Sequence, residues 1–519
     1  MPVFTRLTPS HVRGVALSAL TGPGVRLAAG TSGTDGRADP HVSSVTLAHA
    51  EVGPGALFAA LPGRSRHGAD FAGVAAAAGA VAVLTDLAGV EPASATGLPV
   101  VVADDPRARL GRIAAAVYGT DRVRPRLFGV TGTNGKTTTV HVLDAVLRQL
   151  GVPSGHSSTA DRRSGDHVVA SRLTSPEAPE LHALLARMTE DGVQAAALEV
   201  SAQALVRHRV DGLRFDVAGF TNLSHDHLDD FPDMQHYLDA KRRLFTPERS
   251  RRGVVLLDSP AGLEVAGRSG VPVTTVTSTG AAEADWTVEI ESIRASGTSF
   301  RLVGPGGRQL RTSVPLIGRH MAADAATALL MLLEAGHDLD ELRAAVAPGV
   351  DVEVPGRTLR VSGDDGPQVF TDFSHTPDSV EKTLEGLRAI TTGRLVVVVG
   401  ADGDRDPSKR GPMGRAAALG ADLVVVTDHH PRTEDPAGIR RALRRGAEDA
   451  GGAAPVVEVA DPAEAVRRAL VGTGADDTVL WVGPGDTDYR VVGEHEVPYS
   501  PRRDAAAALR EAGWSGRTD

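Results

Sequence analysis

No cysteine occurs among the 519 residues, which excludes disulfides, thiolate metal sites and cysteine nucleophiles together. Aromatic residues are scarce at 3%, so the cores have to be built from Val, Leu and Ala. No run is apolar for long enough to cross a bilayer, and the N-terminus lacks a basic-then-apolar signal pattern. Membrane insertion is therefore not expected, and a cytoplasmic location is. A basic surplus is missing too: the formal charge is −10, which argues against nucleic acid as the main partner. Lysine is the last scarcity. Only four of the 55 basic residues are Lys, namely Lys136, Lys241, Lys382 and Lys409. Arg stands almost wherever any cation will do, so a retained Lys is a candidate for a position that needs a primary amine. For Lys382, on an exposed helix, chance is the preferred reading.

The length exceeds a single core and predicts about three domains. Short apolar strands alternate with Ala-rich helices up to residue 123, as in a helix at Phe71–Ala78 followed by a buried strand at Ala80–Thr85. Arg122–Pro125 reads as a linker. A strand at Leu127–Thr131, a Gly-rich turn and a helix closed by Gly151 come next, then buried strands at Ala195–Val200 and Asp216–Thr221. That alternation predicts a doubly wound α/β domain. Residues 283–315 alternate polar and apolar and predict a β-rich insertion. A third α/β unit starts near Pro355, with strands at Leu395–Val399, Leu423–Thr427 and Val479–Val482.

The chemistry concentrates in the middle of the chain. Gly129-Val-Thr-Gly-Thr-Asn-Gly-Lys-Thr-Thr138 lies between a strand and a helix. Its glycines let backbone N–H groups and the helix N-terminus face phosphate oxygens. Lys136 reaches β and γ phosphates, and the Thr137 hydroxyl is a Mg²⁺ ligand. The strict phosphate-loop pattern fails at Val130, but Lys-Thr at the helix start of a Lys-poor chain favours nucleotide over a plain turn. Glu199 ends an apolar strand, where an acid is placed to hold the metal on ATP; a salt-bridged structural acid is the alternative. Thr221-Asn-Leu-Ser-His-Asp-His-Leu-Asp229 brings His225 and His227 to the next strand tip. Periodicity alone makes Tyr237–Phe245 an amphipathic helix with a basic face and Lys241 solvated.

Together these segments resemble the Mur ligase family. The loop Gly132-Thr-Asn-Gly-Lys-Thr-Thr138 matches its ATP signature. Leu173-Thr-Ser-Pro-Glu-Ala-Pro179, Glu199-Val-Ser201, His208-Arg-Val-Asp-Gly212, Phe220-Thr-Asn-Leu223, Asp226-His-Leu-Asp229 and Ala240-Lys241 match its diaminopimelate- or lysine-adding branch in order. Pro355-Gly-Arg357, Asp372-Phe-Ser-His-Thr-Pro-Asp378, Gly403-Asp-Arg-Asp406, Lys409-Arg410 and Pro431-Arg432 continue the match, which runs from about residue 50 to 490.

The resemblance implies an α/β fold of three domains, the central one a doubly wound P-loop-type ATPase and the flanking ones Rossmann-like. Residues 1–123 would hold a nucleotide-sugar acceptor, 124–353 ATP, and 354–519 the incoming amino acid. It further implies that Lys241 takes up CO₂ as a carbamate, and that this group, Thr137, Glu199 and His227 hold two Mg²⁺ ions. ATP contacts are implied for Gly132, Thr133, Asn134, Gly135, Lys136, Thr137, Thr138 and Asp324, with Arg357, Asp372 and His375 closing over the nucleotide. Thr174, Ser175, Ser201, Arg209, Asp404, His430 and Arg432 are the implied substrate contacts. The expected partners are small molecules, a UDP-sugar peptide or another carboxylate and an amino acid, and the expected state is a monomer.

The departures cluster at the substrate ends. The uridine-side Asp-Ser-Arg reads Ala48-His-Ala50, and the Ser-Ser-His after the metal acid reads Ser201-Ala-Gln203. The amino-acid motif Asp-Asn-Pro-Arg reads His429-His-Pro-Arg432, the later Lys-Gly-His-Glu reads Pro484-Gly-Asp-Thr487, and the adenine-side motif reads Met321-Ala-Ala-Asp324. Two substrate readings therefore stand side by side: UDP-N-acetylmuramoyl-L-alanyl-D-glutamate with a diaminopimelate-like amine, or a different acid and amine in secondary metabolism. A non-catalytic ATP-binding relative is disfavoured, because Lys136, Thr137, Glu199, His227 and Lys241 are all present.

Overall fold

Apolar runs bounded by glycine become buried parallel strands, and the segments of helical period cover them. The computed structural model describes residues 6–28, 39–63, 65–122 and 124–517; position 123 of the expected linker lies outside them. Contacts group the chain into two compact units, Met1–Thr131 with Gly151–Ala218 and Ala240–Arg252, and Gly132–Leu150 with Gly219–Asp239 and Gly253–Asp519.

In the first unit, strands Val25–Leu27, Val100–Ala103, Ala80–Thr85, Ala56–Ala59 and Ser44–Thr46 form a sheet in that order, parallel except for the first. Leu57, Val83, Leu84 and Val101 are fully buried there. The strand at Ala80–Thr85 is the one expected, and its preceding helix spans Ala72–Ala77. Helix Pro106–Tyr118 is capped by the Asp105 carboxylate and stopped by Gly119 at φ 72°, a backbone angle that glycine adopts freely. Strands His167–Ala170, Asp161–Ser164, Ser154–Ser157, Ala195–Glu199 and Arg126–Thr131 are successive neighbours in a second sheet. The last two run parallel, so Glu199 and Thr131 come to the same carboxyl end.

In the second unit, helix Lys136–Gln149 packs on helix Arg319–Glu334. The β-rich insertion is an antiparallel meander of Trp286–Arg294, Gly297–Val303 and Gln309–Val314. A six-stranded sheet follows in the order Leu359–Arg360, Gln368–Asp372, Thr478–Val482, Leu395–Val399, Leu423–Val426, Val456–Glu458. Only its first pairing is antiparallel. Valines dominate because both faces are covered, by Leu384 and Met413 on one side and Val466 and Leu509 on the other.

The reading of Lys241 from periodicity needs correction. It lies on helix Met234–Arg242 but is 1% exposed. Residues four apart share a helix face, and Tyr237, one turn earlier, is also 1% exposed. The face chosen by that aromatic ring turns inward and takes the amine with it. Lys382 sits as expected on an outer face, paired with Asp378 at 2.8 Å.

Candidate active site

The Gly-rich turn becomes a phosphate-type loop because two of its residues tolerate no side chain. A Cβ at Gly132 (φ 153°) would collide with Thr221 Oγ1, and one at Gly135 (φ 84°) with the Asp324 carboxyl. The backbone therefore closes down on residues 221–222. Thr133 N donates to Asn222 O at 3.0 Å, Asn134 N donates to Asn222 Oδ1 at 3.0 Å, and Thr221 Oγ1 donates to Asn134 O at 2.6 Å. Lys136 folds over the turn, with Nζ donating to Gly132 O at 2.9 Å and Thr133 O at 2.7 Å. A glycine cradle at the start of a 14-residue helix, with an ammonium inside it, fits a triphosphate.

Residues from the last third of the chain meet this loop. Asn134 Nδ2 donates to Thr376 Oγ1 at 3.2 Å and to Asp378 Oδ2 at 3.0 Å. Arg357 lies over the Phe373 ring at 5.0 Å and donates to Thr137 Oγ1 at 3.1 Å. Asp372 is buried and accepts from the backbone N–H groups of Thr358 and Ser374, each at 2.7 Å. It thus shapes the Arg357 and His375 loops. His375 donates through Nδ1 to Phe373 O, leaving Nε2 3.7 Å from Asp226. Asp226 also pairs with Lys409 at 2.9 Å and His227 at 3.5 Å. Burial pushes its carboxyl up, but the neighbouring His375 ring and the charges of His227 and Lys409 outweigh that and hold it well below the ordinary range. Asp324, buried under Gly135, goes the other way: desolvation lifts it to about 7, against Lys382, Arg357 and Lys136. Thr138 packs its hydroxyl on Met321 Sδ. The His227 ring and the Asp229 and Asp230 carboxylates lie within 4.8 Å of one another, and His227 holds φ 59°, an angle costly for a residue with Cβ.

The first unit carries the other expected metal and acceptor residues. Glu199, 2% exposed, accepts from Thr159 N at 2.7 Å and Thr159 Oγ1 at 3.1 Å. The same hydroxyl accepts from Thr174 Oγ1 at 3.0 Å. Ser175 Oγ donates to Glu199 O at 2.7 Å and accepts from Ser201 N at 3.0 Å. Ser201 in turn caps helix Ala202–Val206. Arg209 donates to Glu177 at 2.9 Å and to Ser175 O at 3.3 Å. Thr174, Ser175, Glu199, Ser201 and Arg209 thus form one connected group, with Lys241 buried in the same unit. Oxygen donors of this kind suit Mg²⁺; the Lys241 amine suits it only after conversion to a carbamate.

In the second unit, Asp404 (φ 51°) accepts from Thr433 N at 3.1 Å and Thr433 Oγ1 at 2.8 Å, and so ties the loop after Val399 to the loop after Val426. Arg432 (φ 52°) and His430 lie on that second loop. Two groups escaped the sequence. Asp226 and Lys409 meet across 183 positions; both stand in segments that carry the resemblance, Asp226-His-Leu-Asp229 and Lys409-Arg410, but nothing in the sequence paired them. Asp402 meets His429 at 2.7 Å, with no sign at all.

Three family models match the chain: "Mur ligase family, catalytic domain" over 41–118, "Mur ligase middle domain" over 130–332 and "Mur ligase, glutamate ligase domain" over 356–485. A UDP-N-acetylmuramyl-tripeptide synthetase of Leifsonia xyli subsp. xyli is 55% identical over 91% of this chain and 92% of its own. The chain belongs to the Mur ligase family. It is therefore an ATP-dependent ligase, and its relatives are of the MurE type. One of these, the UDP-N-acetylmuramoyl-L-alanyl-D-glutamate–2,6-diaminopimelate ligase of Streptomyces avermitilis, is 40% identical over 97% of both chains. A solved structure of a ligase with that same name aligns over 97% of this Mur ligase and 100% of its own chain, with TM-score 0.64 and 26% identity. The MurF ligase of Thermotoga maritima in complex with ADP, 18% identical over 91% and 97% of the two chains at TM-score 0.64, shares the fold.

Proposed function

We propose that this Mur ligase joins the free carboxylate of UDP-N-acetylmuramoyl-L-alanyl-D-glutamate to the α-amine of a diamino acid in the cytoplasm, extending the peptidoglycan stem peptide. The division into 1–123 for the acceptor, 124–353 for ATP and 354–519 for the amino acid belongs to this reading. One observation carries it: Arg357 and the Thr376–Asp378 turn are hydrogen-bonded to Thr137 and Asn134 of the phosphate loop. That is the arrangement a γ-phosphoryl transfer requires.

Lys136 exchanges its backbone carbonyls for β and γ phosphate oxygens. Arg357, in place at Thr137, adds the second cation at the transferring group. The acceptor carboxylate attacks the γ-phosphorus, giving an acyl-phosphate and ADP. The uncharged amine then attacks the acyl carbon, and the tetrahedral intermediate expels phosphate while the nitrogen loses its proton. Glu199, Thr137, His227 and Lys241, carrying a carbamate from CO₂, would hold two Mg²⁺ ions, which supply charge neutralisation when bound. Ser175, Ser201, Thr174 and Arg209 orient the acceptor, and Asp404, His430 and Arg432 orient the amine. Full-length similarity to relatives carrying these substrate names favours this reading over another acid and amine.

The test is ATP-dependent phosphate release by the purified chain with UDP-N-acetylmuramoyl-L-alanyl-D-glutamate and a series of amino acids. Turnover with a diamino acid is expected. No release with any of them, by protein that still binds ATP, would overturn the substrate assignment.

A further inference from the structure

Glu177 stands immediately before helix Ala178–Glu190, yet its carboxylate makes no capping bond to that helix. It lies instead between two guanidinium groups from different parts of the chain. Arg107 Nη1 donates to Glu177 Oε2 at 3.0 Å, from helix Pro106–Tyr118, 70 positions earlier. Arg209 Nε donates to Glu177 Oε1 at 2.9 Å, from a loop 32 positions later. One carboxylate thus faces two cations, and a net positive charge stays on the cluster.

Both arginines are carried on backbone that is held in place. His208 takes φ 57° and sets its Nδ1 2.9 Å from Asp211 Oδ2, while Arg209 N donates to Ala204 O at 2.9 Å. The helix that bears Arg107 touches the same loop through glycine. A Cβ on Gly111 would lie 2.2 Å from Asp211 O, and one on Gly212 would lie 2.8 Å from Gly111 O. His182 closes the joint: Nε2 donates to Asp211 O at 3.0 Å, and Nδ1 accepts from Thr120 Oγ1 at 2.6 Å. Backbone packed this closely leaves the helix no room to slide along the loop.

The donors of Arg209 can then be assigned. A guanidinium offers five N–H groups in a planar fork. Nε goes to Glu177, and one Nη1 hydrogen goes to Ser175 O at 3.3 Å. The outer edge, Nη2 with the second Nη1 hydrogen, has the geometry that a carboxylate takes with both oxygens. Glu177 competes for half of that edge. With both of its oxygens available it would pair side-on with Nε and Nη2, and Nη2 would be spent inside the protein. Arg107 draws Oε2 away and keeps the Glu177–Arg209 contact to one bond.

We propose that Arg107 is a positioning residue for the acceptor: by holding the second oxygen of Glu177, it keeps the outer edge of Arg209 open to a carboxylate of the acceptor. This rests on the reading above in which Arg209 orients the acceptor. Arg107 itself touches only Glu177 in this chain of contacts, so its effect on the acceptor is relayed.

Variants of the full-length protein test this. In calorimetric titration, Arg107→Met should bind UDP-N-acetylmuramoyl-L-alanyl-D-glutamate about 10- to 100-fold more weakly than the parent, the scale of one charge-assisted hydrogen bond. Arg107→Lys, which keeps a cation at Oε2, should restore most of the affinity. Combining Arg107→Met with Glu177→Gln should return binding to within about fivefold of the parent, because an amide has one acceptor oxygen and cannot close both donors. A residue that only supports the fold would give losses that add instead. In the ligation assay Arg107→Met should raise KM for the acceptor and leave KM for ATP within about twofold. A second readout needs no substrate: phenylglyoxal labelling of Arg209, followed by peptide mass spectrometry, should slow severalfold in Arg107→Met and recover in the double variant. Unchanged acceptor affinity or unchanged Arg209 labelling in Arg107→Met overturns the proposal, as does a double variant that binds no better than the single one. Failure of the parent protein to bind this acceptor would count against the substrate assignment, while the order of labelling would still decide this inference.

Discussion

Replacing Asp324 by Asn isolates what one buried carboxyl does to stability. Asp324 is 4% exposed and sits against Gly135 of the phosphate loop. Burial lifts it to about 7, the nearby Lys382, Arg357 and Lys136 only partly opposing. The unfolded chain titrates near the ordinary Asp value of about 3.9. With the folded value the higher of the two, the folded protein binds the extra proton. The stability from this group is thus complete below about pH 4 and lost as the pH rises through about 7. Between about pH 5 and pH 8 the loss is on the order of 3 kcal/mol. Asparagine preserves the shape and cannot ionise. Urea unfolding of parent and Asp324→Asn, followed by circular dichroism at several pH values, should show the gap shifting by that amount in favour of the variant as the pH rises. Parallel stability curves would refute the reasoning, because they would mean the carboxyl is ionised and compensated in the fold.

Three other outcomes follow from the site. Lys241→Ala should lower ATP turnover by more than about 100-fold and regain part of it with acetate or propionate, which stand in for the carbamate; no rescue, measured by phosphate release, would remove that role. Arg357→Ala should lower kcat by about 100-fold with little change in thermal stability, since the guanidinium reaches Thr137 rather than a core. Lys409→Met leaves the Asp226 carboxylate buried beside one cation fewer and should cost about 3 kcal/mol. Adding Asp226→Leu should restore part of the loss in thermal denaturation, and an unchanged melting temperature in the single variant would show the pair is not structurally coupled.

What the sequence revealed was local. The strand Ala80–Thr85, the 132–138 loop and the three valine-rich strands were legible because their signals fit within one element. Lys241 was misplaced by counting Arg242 and Arg243 as the governing face, when the burial of Tyr237 decides the orientation. Asp402 reads as a polar loop residue between Ala401 and Gly403; only the sheet crossover sets it against His429, 27 positions on. The anchoring of Asn134 by Thr376 and Asp378 spans more than 240 positions, a distance no periodicity encodes.

The rarity of lysine has a consequence for chemical modification. Of the four side-chain amines, Lys241 and Lys409 are 1% and 6% exposed, and Lys136 is turned onto the carbonyls of its own loop. Lys382, 39% exposed at its side chain, is the open address. An amine-directed reagent followed by mass spectrometry therefore has a constant reference mark at Lys382 and a nucleotide-sensitive one at Lys136. The chain thus carries its own footprinting standard in one compositional habit.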